Sequence, residues 1–356
     1  MRKTYYIIVL ALMALAICVQ VTTAQGDSEL KKISLIYSDH APPTTEGIIF
    51  MQNEYLPRVQ KELAKIGYEL EITFHHSESL FKIDEQVQAC KHGFVDITLF
   101  SIDYETAKAP LHEILNMPLM GYDEYSATRI WFDLQNTIPE FGAELADFKE
   151  LMRFMALPVV FNTNKPARVP ADFKGLVVQS AGMPAEMLRS VGAIPLVKSP
   201  NDWHKWLKTN LLDDIAVGIT GIPMYNLQDV VKVHIQPTGD SLGLTGTSFI
   251  MNRKKFESFP PEVQKILDDH VLWASNRMTE IEVKNIPVSM NICSKAGNQF
   301  INLTSEEMEE WYNVVKPIHR KWIRKMEARG LPGEKVYNEA KRLAEKFRPT
   351  EIESNL

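Results

Sequence analysis

The chain has 356 residues, with 39 Lys or Arg against 45 Asp or Glu and a formal net charge of −6 at neutral pH. An acidic chain with no basic tract lacks the electrostatic footprint that nucleic acid requires. Its length suits about two domains, each with a full-sized core.

The first element is a leader. Arg2 and Lys3 precede a nearly unbroken apolar run from Tyr6 to Val19, and Thr22-Thr23-Ala24 offers small residues for cleavage. Residues 1–24 therefore read as a secretory signal peptide, with the mature chain starting at Gln25 in the periplasm. Lipidation of Cys18, in Leu15-Ala16-Ile17-Cys18, is the second reading; the bulky Ile17 places it behind cleavage. Outside the leader only Cys90 and Cys293 remain. They read as two buried thiols, with a single long-range disulfide as the alternative in an oxidising compartment.

Strand and helix patterns then alternate. Residues 33–37 form a β-type run, 44–66 carry helical periodicity closed by Gly67, and 69–74 alternate as a strand does. A helix over 83–91, a break at Gly93 and a strand over 95–100 complete a βαβαβ unit, which calls for a parallel sheet. A second series follows: extended chain over 151–161, strands at 176–179, 194–197 and 215–219, and helices at 184–191 and 202–211. Residues 249–251 suit a return to the first sheet. Helical patterns follow over 260–298, with a kink or break expected at Pro287, and then over 306–328 and 332–347. The expected fold is α/β: lobe I at 25–150 with a return segment near 243–255, lobe II at 151–242, and long helices at 256–356 bracing both.

Particular stretches resemble a known family. They are Ser79-Leu80-Phe81, the run from Cys90 to Ile97, Ala109-Pro110 with Asn116-Met117-Pro118, and Asn164-Lys165-Pro166. Pro170 to Leu176, Val191 to Pro195 and Leu207 to Asp213 continue the series. In order and spacing they are similar to the solute-binding subunit of tripartite ATP-independent periplasmic (TRAP) transporters of the C4-dicarboxylate-binding, DctP type. The resemblance runs from about Ile33 to Ile318. It implies a two-lobed periplasmic binding protein fold, a ligand cleft between lobes that closes on the solute, and no chemistry. It also implies a small organic solute, small and large membrane permease subunits as partners, and no cofactor; a monomer is expected.

The resemblance also implies an arginine after Gly175-Leu176 that forks onto a solute carboxylate, and that position is Gln179. A second arginine falls near Val159, an asparagine near Val217 and a lidding aromatic near Pro200. An amide replaces a charged fork, so the expected solute is neutral or partly apolar and is not a simple dicarboxylate. The ligand-binding candidates are Ser38, His40, Phe100, Ser101, Tyr104, Val159, Gln179, Pro200, Trp203, Val217, Thr220 and Thr245, drawn from strand ends and the loops after them.

Three other signals have bland readings beside them. Gly239-Asp240-Ser241-Leu242 spells the core of a GDSL hydrolase motif, but it lies late and lacks the usual Asp-x-x-His, so a turn is favoured over a secreted hydrolase. His75-His76 with Glu78 suggests a metal, yet adjacent strand residues face apart, and a solvated loop is preferred. The charged run from Glu306 to Lys325 reads as a solvated helix face, with docking on membrane subunits as the weaker reading. No catalytic or metal residue is expected. A ligand-sensing subunit of a signalling system is a further alternative.

Overall fold

The computed structural model describes residues 30–347; the leader, its cleavage site and Cys18 lie outside the described residues. Strands β1 (Lys31–Ser38), β2 (Tyr68–His75) and β3 (Ile97–Ser101) are joined by helices, and β1 pairs in parallel with both of the others. That central place for the first strand is what two βα crossovers from one edge produce. The chain continues through β4 (Phe148–Thr163), β5 (Val177–Gln179), β6 (Ile194–Leu196), β7 (Asp214–Gly218), β8 (Val233–Gln236), β9 (Leu244–Asn252) and β10 (Gln299–Asn302).

One strand serves both lobes. The sheet order is β2-β1-β3-β9-β4-β7-β5-β6, with β8 on β4 and β10 on β8. Residues 148–158 of β4 pair antiparallel with β9, whereas 159–163 pair with β7 and β8. The register slips between Ala156 and Pro158. Proline has no N–H to give the ladder, so the pairing breaks there and β4 passes from one sheet to the other. The division drawn between residues 150 and 151 thus falls inside one continuous strand. The return segment is β9, inserted between β3 and β4 and antiparallel to both.

Helices close the faces. The helical run after β1 comprises Glu46–Phe50, a π-helical turn Met51–Tyr55 and Leu56–Lys65, and it ends at Gly67 with φ 82°. The helix Pro261–Lys295 passes through Pro287 without a break. A proline forfeits one intrahelical bond, and packing on both lobes keeps this helix whole: Leu267, Ala274 and Met278 join Phe50 and Phe249 in one core, and Cys293 joins Leu207 and Ile215 in another. The helices Ser305–Glu327 and Gly333–Phe347 pack together. The first touches the lobe II helix Gly182–Ser190, and the second touches the 3-10 turn Pro110–Asn116 of lobe I. Both lobes are therefore braced from outside.

The helix Glu124–Thr137 had no sequence counterpart. Its buried side includes Glu124, Ser126 and Thr128, which blurs the apolar period. Thr128 meets Thr279 of the long helix at 3.1 Å, a polar seam that hydrophobicity does not announce. Cys90 and Cys293 are both buried free thiols in different cores, so the disulfide alternative is not realised.

Candidate functional site

The floor of the main cavity follows from strand alternation. Leu99 and Ser101 on β3 stand opposite Phe249 and Thr247 on β9, and Phe154 and Ala156 on β4 stand opposite Thr247 and Thr245. All seven line the cavity, because residues two apart on a strand share a face. Phe100 points the other way, into the core beside His112, with ring centroids 6.0 Å apart. Phe100 and Ser101, both expected in the cleft, are neighbours on one strand and cannot both face it. Leu99 takes the place of Phe100.

Lobe II supplies the facing wall. Val159 on β4, Val217 on β7 and Gln179 at the end of β5 all line the cavity, with Pro200 and Trp203. Gln179 is buried, and its Oε1 accepts from the Lys198 N–H at 2.8 Å. The Lys198 carbonyl in turn accepts from Trp203 Nε1 at 2.9 Å. Gln179 thereby fixes the loop that presents Pro200 and Trp203, and its amide nitrogen has no partner among the described residues. Trp203 meets Tyr225 edge-on at 4.9 Å between centroids, so the wall is largely aromatic.

His40 and Tyr104 complete the mouth, with rings 5.8 Å apart. Asn201 Nδ2 donates to the His40 carbonyl at 3.3 Å, a contact from lobe II to lobe I. Gly182, at φ 59°, lies so close that a Cβ there would sit 2.6 Å from Asp103 Oδ1. The two lobes thus meet around a cavity of about 190 Å³. An apolar cavity of about 150 Å³ accommodates benzene, so the space suits a single-ring molecule.

The electrostatics come from groups that sequence reasoning missed. Glu46, Asp103 and Glu282 line the cavity, and among the described residues lining it there is no Lys or Arg. Burial, reinforced by Glu46, pushes the Glu282 carboxyl up to about 8. Burial pushes Asp103 up to about 7 against hydrogen bonds from Asn116 and Thr245. Burial also lowers His40 to about 4, against the pull of Asp39, so its ring is neutral at pH 7. Glu282 Oε2 is buried without a partner among the described residues.

Ser38 and Thr220 do not line the cavity. Both are buried; the Ser38 carbonyl accepts from Thr98 Oγ1 at 2.7 Å, and Thr220 is the N-cap residue of the short helix Gly221–Met224. Strand ends were expected to face the cleft, but these two turn inward. Tyr225 and Met224, just beyond Thr220, take the lining position. Arg129, Arg153, Arg168 and Arg189 do not supply the absent charge. Arg129 covers the Phe347 ring and Arg153 the Phe132 ring, while Arg168 pairs with Glu307 and Arg189 with Glu186.

The other signals resolve locally. Asp39 is fully buried, accepts from Tyr37 Oη at 2.7 Å and holds His76 Nδ1 at 3.2 Å, which anchors the segment carrying His40. Among the described residues no group of three or more His, Cys, Asp and Glu could hold a metal. Ser241 lies in a turn between Gly239 (φ 81°) and Gly243 (φ 123°), and no histidine lines the separate cavity it borders. No described helix is long and apolar enough to cross a membrane.

Comparison with known proteins agrees with this architecture. The family model of bacterial extracellular solute-binding protein family 7, DctP, matches residues 53–325. The C4-dicarboxylate-binding periplasmic protein DctP of Rhodobacter capsulatus is 22% identical over 262 residues, covering 70% of this chain and 75% of its own. A marine metagenome TRAP solute binding protein specific for aromatic acid ligands, solved with co-crystallised 3-hydroxybenzoate, superposes with a TM-score of 0.80. It is 21% identical, covering 90% of this chain and all of that one. DctP6 of Bordetella pertussis, an extracytoplasmic solute receptor binding pyroglutamic acid, gives a TM-score of 0.77 at 18% identity, over 88% of this chain and 100% of its own. The chain belongs to the bacterial extracellular solute-binding protein family 7.

Proposed function

We propose that this protein is the periplasmic receptor of a TRAP-type transporter. It captures a small organic solute in the cavity between its lobes and presents the closed form to small and large membrane permease subunits. It works as an exported monomer and performs no chemistry; the solute-binding family and the absence of histidine around Ser241 among the described residues support that reading.

The solute is not a simple dicarboxylate. One observation supports this: Gln179, at the position where the resemblance implies an arginine, lines the cavity, and among the described residues no Lys or Arg lines it. A carboxylate enclosed there would lose its water and gain at best neutral donors, which is costly for an ion. Gln179 has only its NH₂ group to offer, since its oxygen holds Lys198. Family relatives that bind organic acids do not settle this cavity's choice, because specificity lies in the lining and not in the fold.

The test is native mass spectrometry of the protein isolated from the periplasm, followed by identification of the released ligand. A stoichiometric small molecule without paired carboxylates is expected. A stoichiometric C4-dicarboxylate would overturn the assignment.

A further inference from the structure

We propose that the solute carries a protonated amine on an apolar ring or short chain, with the ammonium seated at Glu282 and the apolar part against Trp203 and Tyr225. This rests on the receptor reading above and deepens it by naming a ligand class.

Glu282 projects from the middle of the long helix Pro261–Lys295 into the cavity and is 5% exposed. Its Oε2 is buried with no partner among the described residues. A buried carboxyl oxygen normally has a donor, so this vacancy sits where a ligand donor belongs. The helix's own cations do not serve it: Arg277 pairs with Glu54 and Glu280, and Lys284 with Glu280. The groups facing Glu282 across the cavity are also acidic or neutral. Glu46 approaches from the helix Glu46–Phe50 and raises the Glu282 carboxyl, while Tyr225 stands after the helix Gly221–Met224. Asp103, Tyr104 and neutral His40 complete the titratable lining.

Charge selects among the three classes of solute. An anion would find acidic groups and, among the described residues lining the cavity, no Lys or Arg to pair with. A neutral molecule fits but leaves the Glu282 carboxyl protonated and without a counter-ion. An ammonium gives Glu282 a counter-ion and three donors, and the faces of Trp203 and Tyr225 attract cations. Proton balance is explicit: below pH 8 Glu282 holds a proton in the empty cavity, and the arriving ammonium displaces that proton to solvent. The bound pair is then carboxylate and ammonium. Amine affinity must therefore rise with pH through the neutral range, by up to about tenfold per unit while Glu282 remains protonated in the free protein.

The experiment is a thermal-shift panel of matched sets: benzylamine, benzyl alcohol and benzoate, then phenethylamine and piperidine with their alcohol and acid counterparts. Calorimetry from pH 6 to 8.5 follows on the hits. Amines alone should raise Tm, with affinity increasing with pH. Glu282→Gln should weaken amine binding at least tenfold and abolish the pH trend; Glu46→Gln, at the helix start, should weaken it less and guards against a folding defect in the first variant. Stabilisation by the alcohols or acids with the amines inert would overturn the amine assignment while leaving the receptor reading intact. Amine binding that survives Glu282→Gln unchanged would overturn it equally. A panel in which no class of molecule raises Tm would instead overturn the receptor reading itself.

Discussion

One wall of the cavity is made by strand ends and their loops, the other by helices that cross it. The first carries Val159, Val217, Gln179, Pro200 and Trp203 and is apolar and aromatic, with a single amide. The second brings Glu46 and Glu282 from two helices, with Asp103 near the β3 end, and is acidic, with no Lys or Arg among the described residues lining it. The strand wall has an internal order: Gln179 holds Lys198, and Lys198 holds Trp203. The helical wall has the opposite character, because a buried oxygen of Glu282 is left without a partner among the described residues. The strand wall holds its own loop in place and gives shape, while the unpartnered Glu282 oxygen gives selectivity.

Breaking the strand wall should have the largest effect. Trp203→Ala removes a buried ring, its contact with Tyr225 and a hydrogen bond, so destabilisation of about 3–5 kcal/mol is expected in urea unfolding. A loss below about 1 kcal/mol would mean that the ring does not hold this wall.

The acidic wall should reveal itself through pH. Burial raises Glu282 from 4.5 to about 8 and Asp103 from 3.8 to about 7, so the folded chain retains protons that the unfolded chain releases. Stability of the ligand-free protein is then greatest below the unfolded pKa values and falls as pH rises through 7 and 8, by on the order of a few kcal/mol. Tm should drop between pH 5.5 and 8.5, and Glu282→Gln should shrink the drop. An equal slope in wild type and variant would contradict the placement of this carboxyl in a dry cavity.

Gln179 sharpens the comparison from the other side. Gln179→Ala leaves the Lys198 N–H without its acceptor, at a cost of about 1–3 kcal/mol in stability, and slackens the loop that carries Trp203. Gln179→Arg also lacks an acceptor for that N–H. It should lower stability by a similar amount and weaken binding of the native solute, read by calorimetry. Improved native-solute binding in the arginine variant would mean that the solute is an anion after all. Ser241 lines a separate cavity, so Ser241→Ala should change stability by less than about 0.5 kcal/mol and leave solute affinity untouched.

Much of the strand wall was legible in the sequence. The β patterns located β5 and β7, and the positions that the family resemblance implies, Val159, Gln179 and Val217, line the cavity. The rule that strand ends face the cleft failed at Ser38, Phe100 and Thr220, since it gives the end of a strand but not which of two alternating faces is wet. Pairing settles that, and pairing here depends on β9, which arrives late in the chain between β3 and β4. The acidic wall was not legible. Glu282 lies in mid-helix among other charged residues, Arg277, Glu280 and Lys284, that reach neighbouring ion pairs, and only packing of that helix across both lobes turns one glutamate inward. The switch of β4 between sheets was hidden too, because an extended run shows no break and the register slip at Pro158 appears only once β9 is in place.

The most direct test of the account is calorimetric titration of ligand-stripped protein with succinate and malate at pH 7. A cavity that offers one neutral amide, three carboxyls and, among the described residues, no lining Lys or Arg should bind neither at millimolar concentration. Micromolar binding of either dicarboxylate would contradict the account, for it would require a cationic group to reach a cavity in which Arg129, Arg153, Arg168 and Arg189 are all engaged elsewhere.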